Sequence, residues 1–321
     1  MSKFNLRLLL FLLSTTTLTS LFIAFYNKSF NSNNFALNEQ FLPSINMISP
    51  NVSSPTPTLT LFVLSDTHLN QNINPFLKEK ISLYNPDIIF HVGDHTDFGD
   101  PKSLELSLSN LESLGVPFMV LPGDRDIAYS ADDSIFKSVF EKSYSPNSML
   151  NIKGVKFFLF SNMYNFNPFS EPDLPAIRKG FLESDVIISS QPIFVHSDSI
   201  FSNKYMGSKY YLSSNPDLQD SVKNNLEKYI IQSDDIRWYL ANLESRKLII
   251  SGDHHKSDTF THPSNSLLNF HIVGALAENI ESGNLKLKQS ALQSQRFSVI
   301  YFFKDGNELS YEIEEVQVPI E

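Results

Sequence analysis

Five short polar clusters hold the side chains best suited to chemistry: Asp66-Thr67-His68, Gly93-Asp94-His95-Thr96-Asp97, Gly123-Asp124-Arg125-Asp126, His196-Ser197-Asp198 and Gly252-Asp253-His254-His255. Mixed imidazole and carboxylate donors suit divalent transition metals. The chain has no cysteine, so thiolate zinc sites, iron–sulfur clusters and cysteine nucleophiles are excluded. An isolated Asp behind a strand is usually a turn former or a helix cap. The series outweighs that reading, because each cluster follows an apolar run. His91 sits inside such a run and reads as a core residue or a support to the ligands, and His262 and His271 have no motif around them.

The elements that must present these clusters are legible from periodicity. Residues 59–64, 87–92 and 116–121 are short apolar runs with β-branched content and read as strands. Between them, Asn74-Pro75 and Asp100-Pro101 open helices, the second with Leu104, Leu108 and Leu111 on one face and Gly115 beyond its end. This alternation implies parallel strands with helical crossovers, and ligands in such sheets bind at the carboxyl ends of the strands. Further strands are predicted at 155–160, 193–195, 248–250, 269–273, 297–303 and 308–313, the last two joined by the turn Lys304-Asp305-Gly306-Asn307. Residues 162–190 and 198–233 read as irregular insertions. Gly93, Gly123 and Gly252 each precede an acidic residue, where a tight turn swings the side chain back over the sheet edge.

In this order the five blocks resemble those of the calcineurin-like metallophosphoesterase family over about residues 58–318. The resemblance implies an α/β four-layer αββα sandwich with two mixed β-sheets and a two-metal centre at one edge. By position, Asp66, His68 and His255 would hold the first metal, Asp94 would bridge, and Asp124, His196 and Asp253 would complete the second site. Two such metals would lower the pKa of a shared water, so that hydroxide attacks the ester, and would neutralise charge on the phosphate. Asp124 and Asp253 stand where the family generally has Asn and His. The oxygen-rich second site therefore favours Mn or Fe, with Mg and Zn as alternatives. Arg125 replaces a histidine that assists the leaving group in many members, and arginine stabilises charge without donating a proton. His254 or His95 is the candidate proton donor in its place. An alternative register makes His254 a ligand instead of Asp253, although Asp253 and His255, two apart, share a face in extended chain.

The chain begins with Lys3 and Arg7 and then runs uncharged over residues 8–26, about the length of a bilayer span. The expected organisation is a cytoplasmic segment 1–7, a transmembrane signal anchor 8–26, an Asn/Ser/Pro-rich linker 27–57 and a catalytic domain 58–321 outside the cytoplasm. A cleaved secretion signal is the rival reading. The net charge of −10 argues against an extended nucleic-acid surface. The expected partner is a phosphate-ester substrate, either a small molecule or an envelope component. Phe201, Tyr205, Tyr210 and Tyr211 in the later insertion read as packing before base stacking, and Arg178-Lys179 as a solvated pair. The expected function is hydrolysis of phosphomono- or diesters. The alternative is a degenerate metal- or ligand-binding envelope protein without turnover.

Overall fold

A computed structural model describes residues 56–130, 132–163, 167–196, 205–209, 219–277, 295–306 and 308–319. The predicted anchor 8–26 and all but the last two residues of the linker lie outside the described residues. No helix among the described residues is long and apolar enough to cross a membrane.

The chain folds as α/β with two mixed sheets. The first contains β1 (Leu59–Leu64), β2 (Ile88–Val92), β3 (Phe118–Leu121), β10 (Arg296–Asp305) and β11 (Glu308–Gln317), in the order β11-β10-β1-β2-β3. β1, β2 and β3 are parallel neighbours, while β10 and β11 form an antiparallel hairpin along β1. The second contains β4 (Ser148–Ile152), β5 (Val155–Phe160), β6 (Val186–Ser189), β7 (Lys247–Ser251), β8 (Asp258–His262) and β9 (Asn265–Ile272), ordered β4-β5-β6-β7-β9-β8. The run β5-β6-β7-β9 is parallel.

Strand periodicity shows how the second sheet is covered. Val155, Phe157 and Leu159 of β5, with Val186, Ile188, Leu248 and Ile250, join the same buried cluster as the first sheet. Phe157 meets Phe90 of β2 and Phe302 of β10 at ring-centroid distances of 5.4 and 5.8 Å. The alternate residues Phe158, Phe160, Ile187 and Ile249 face α4 (Asp173–Glu183) and α5 (Asp220–Ala241), through Phe181, Leu226 and Tyr229. Both faces being buried explains why these strands read as unbroken apolar runs. On the first sheet, α1 (Asn74–Tyr84), α2 (Pro101–Glu112) and α3 (Ser134–Val139) contribute Leu77, Leu104 and Phe136. Asp100 caps α2 by accepting from the Ser103 amide at 3.2 Å, and Asn85 ends α1 in the left-handed conformation.

The expected irregular insertion 162–190 instead contains α4 and β6. The predicted strand 193–195 does not form. It follows Pro192, which has no N–H for a ladder, whereas Val186-Ile187-Ile188 are β-branched and pair on both sides. Of the expected insertion 198–233, residues 220–233 form the first part of α5.

Candidate metal centre

The strands β1, β2 and β3 end side by side, and β7 of the facing sheet ends beside them. Beyond these ends the backbone turns sharply. Asp66, His68, Asp94, Asp253 and His255 all have positive φ, at 51°, 45°, 47°, 61° and 55°. Non-glycine residues seldom occupy this region, and each such residue costs about 1–3 kcal/mol. The turns hold because they are bonded to one another. Asp66 N–H donates to Gly93 O and His68 N–H to Asp94 O, both at 3.1 Å.

Two close approaches require glycine. A Cβ on Gly123 would stand 2.0 Å from Asp94 Oδ1 and 2.2 Å from its amide nitrogen, and one on Gly252 would stand 1.9 Å from Val92 O. Asp126, fully buried, ties the second cluster to the third: its carboxylate accepts from the amides of His95, Thr96 and Gly123 at 2.9–3.0 Å. Burial pushes its carboxyl up to about 6, against the opposing effect of those amides.

Two groups of donor atoms converge, each within 4.8 Å: Asp66, His68, Asp94 and His255 in one, and Asp94, Asp124 and Asp253 in the other. Asp94 belongs to both. His255 Nε2 lies 3.4 Å from Asp66 Oδ1, and His68 Nε2 lies 3.6 Å from Asp94 Oδ2. Behind His68, Nδ1 is 2.7 Å from Asp97 Oδ1. Asp94 also accepts from the Arg125 amide at 3.1 Å.

The donor set fits two divalent cations. Asp66 Oδ1 and His68 Nε2 are buried without a hydrogen-bond partner among the described residues, a costly state that a cation would relieve. Burial first, then the nearby carboxylates Asp124, Asp253, Asp66 and Asp126, push the Asp94 carboxyl well above the usual range. Cations at the two groups would reverse that effect.

Other expected residues lie elsewhere. His95 is a core histidine: buried, it stacks on His91 with centroids 3.7 Å apart and packs against Phe136 and Phe140. Its nitrogens face Ser107 Oγ and Leu121 O, and burial lowers its pKa to about 3. Both ring nitrogens are thus engaged within the core, and His95 belongs to neither donor group. His91 bonds Thr67 Oγ1 at 2.9 Å, supporting the first cluster from below. His254 is buried and belongs to neither donor group, so the structure presents Asp253 and His255 in the alternating register. Arg125 is half-exposed at the rim, its Nε 3.8 Å from Asp124 Oδ1.

His196 also belongs to neither donor group. It is exposed, with its ring 6.0 Å from that of Phe260. The reason is the true position of β6. Ser189 pairs in register with Ser251 of β7, so Ser190 and Gln191, both fully buried, occupy the strand end where an imidazole was expected. Ser190 O accepts from the Gly252 amide at 3.3 Å. Gln191 is locked to Asn162, at the end of β5, by two 2.8 Å bonds. Sequence reading missed these residues. Their signal was the β-branched run 186–188 ending in Ser-Ser-Gln-Pro.

The profile of the calcineurin-like phosphoesterase family matches residues 59–274. Among solved structures, the chain is similar to a dimetal phosphatase from Danio rerio, with a TM-score of 0.54 and 12% identity over 81% of this chain and 99% of that one. It also resembles purple acid phosphatase PPD1 from yellow lupin, with a TM-score of 0.47 and 10% identity over 82% of this chain and 53% of that one. At 12% identity the likeness to the dimetal phosphatase is one of fold. No curated protein matches the chain.

Proposed function

Because this chain belongs to the calcineurin-like phosphoesterase family, we propose that it hydrolyses phosphate mono- or diesters at a centre of two divalent cations. The observation that carries this reading is the sharing of buried Asp94 between two convergent donor groups. Bound cations would acidify water and neutralise charge developing on the phosphate.

The chain's own residues set the terms of that chemistry. Asp66, His68, Asp94 and His255 would hold the first ion, with His68 kept in the ligating tautomer by Asp97. Asp94, Asp124 and Asp253 would hold the second with oxygen alone. Such a site favours hard cations, so Mn²⁺ or Fe²⁺ is preferred there, ahead of Zn²⁺. Arg125 at the rim supplies positive charge to a phosphate oxygen. It donates no proton, so esters with acidic leaving groups react best.

For location, the reading rests on sequence: residues 8–26 as a membrane anchor, with the 58–321 domain outside the cytoplasm. An envelope phosphoester or a soluble one is then the substrate.

The test is metal analysis of the purified protein, followed by hydrolysis of p-nitrophenyl phosphate and bis(p-nitrophenyl) phosphate with Mn²⁺, Fe²⁺, Mg²⁺ and Zn²⁺ in turn. Turnover highest with Mn²⁺ or Fe²⁺ is expected. Protein shown to hold two ions yet inert with every metal would overturn the reading and leave a binding protein without turnover.

A further inference from the structure

The loops that carry Asp97 and Arg125 also carry two aromatic rings with no catalytic role assigned to them. Phe98 directly follows Asp97, the residue bonded to His68. Tyr129 lies four residues beyond Arg125. Each is 54% exposed, and the two rings meet edge to face, with centroids 5.6 Å apart and planes at 89°. The other described phenylalanines are mostly buried or half-buried.

The loops carrying them are tied by backbone and side-chain hydrogen bonds. Gly99 has φ of 72° and lies so close to the next loop that a Cβ there would stand 2.0 Å from Asp126 O. Thr96 Oγ1 accepts from Gly99 N–H at 2.8 Å and donates to Asp126 Oδ1 at 3.0 Å. Ala128 N–H donates to Arg125 O at 3.3 Å. The backbone that carries the rings is thus tied down, and their perpendicular planes form a corner. A flat ring entering it lies parallel to one and edge-on to the other, both favourable aromatic geometries. The half-exposed Arg125 guanidinium, on the same loop as Tyr129, suits the phosphate of the same molecule.

We propose that Phe98 and Tyr129 form a subsite for an aromatic ring carried by the phosphoester substrate, such as a nucleobase or an aryl group. This deepens the phosphoesterase reading and rests on it. It does not draw on the aromatics of the 198–233 segment, which read as packing. Tyr205 is covered by the Arg237 guanidinium at 4.5 Å, while Phe201, Tyr210 and Tyr211 lie outside the described residues.

The test is calorimetric binding of non-hydrolysable phosphonates to the Mn²⁺-loaded full chain, which needs no turnover. One arm compares phenylphosphonate with cyclohexylphosphonate. The other compares a nucleoside 5′-phosphonate with the same sugar phosphonate lacking its base. The flat-ring member should bind about tenfold more tightly, as base–aromatic stacking does elsewhere. Phe98→Leu with Tyr129→Leu, which keeps apolar bulk and removes the π faces, should erase the preference, and Phe98→Tyr should keep it. A preference in one arm alone supports the subsite and names the ring it takes. Equal affinity in both arms, or a preference that survives the double leucine variant, overturns the proposal. Absence of hydrolysis with the preference intact would count against the phosphoesterase reading and not against the subsite.

Discussion

The Asp97 carboxylate grips the far side of the His68 imidazole: Oδ1 lies 2.7 Å from Nδ1, while Nε2 is turned toward Asp94 Oδ2 at 3.6 Å. This assigns the proton to Nδ1 and leaves the Nε2 lone pair facing the donor group.

Asp97→Ala should therefore weaken the first cation's binding by about 10- to 100-fold, the usual effect of removing a carboxylate behind a ligating histidine. Competition with a chromogenic chelator measures it. Asp97 is 80% exposed, so unfolding by denaturant should barely change. Unaltered affinity would show that His68 is oriented by its backbone alone.

Gly123→Ala tests the close approach of two clusters. The added methyl would meet both the carboxylate and the amide of Asp94, and the amide cannot swing aside. Destabilisation of about 1–3 kcal/mol or more is expected, together with loss of both cations, because Asp94 serves both groups. Urea unfolding with and without added Mn²⁺ separates the two effects.

His271 should make the fold acid-sensitive at a distance from the centre. It is buried, its ring bridges Thr259 and Ser298, and burial lowers its pKa from 6.5 to about 4. Between those values the unfolded chain binds a proton that the native chain does not, so stability rises with pH through that window. It is fully present above 6.5 and is lost as the solution is acidified toward 4. The slope is at most about 1.4 kcal/mol per pH unit for this one proton. His271→Gln should flatten the pH dependence of unfolding relative to the parent chain by up to that amount. An unchanged slope would mean the imidazole is not held neutral.

The ends of β6 and β7 give a paired prediction. His196→Ala should leave cation stoichiometry unchanged, since His196 belongs to neither donor group. Ser190→His should place an imidazole beside Gly252 and raise the second site's affinity for Zn²⁺ relative to Mg²⁺. Both are read by titration with each metal. Loss of the second ion in the His196 variant would contradict the placement of β6.

Much of the centre was legible because its information is local. Asp66, His68, Asp94 and Asp124 follow strands whose apolar runs are continuous, and parallel neighbours must end together. The β10–β11 hairpin announced itself through Asp305-Gly306 between alternating runs. What failed was long-range. Val186-Ile187-Ile188 is only slightly more strand-like in isolation than Ile193-Phe194-Val195 behind Pro192; pairing with β5 and β7 completes the difference. His95 looked chemical because it follows Asp94, yet the left-handed turn at Asp94 sends it down into the phenylalanines of α3 and its end. Asp97 drew notice as half of a cluster, but its bond to His68 spans 29 positions and needed coordinates.

The positive φ angles at Asp66, His68, Asp94, Asp253 and His255 also shape which replacements a library would tolerate. Conformation and ligation impose separate filters at these positions. Gly satisfies the first without the second, Asn satisfies the first while offering only a neutral oxygen to the second, and Val and Ile fail both. Sequences drifting away from metal binding would therefore accumulate Gly here before any apolar residue. Apolar, β-branched replacements at these five positions would select for a rebuilt turn, and not merely for an empty centre.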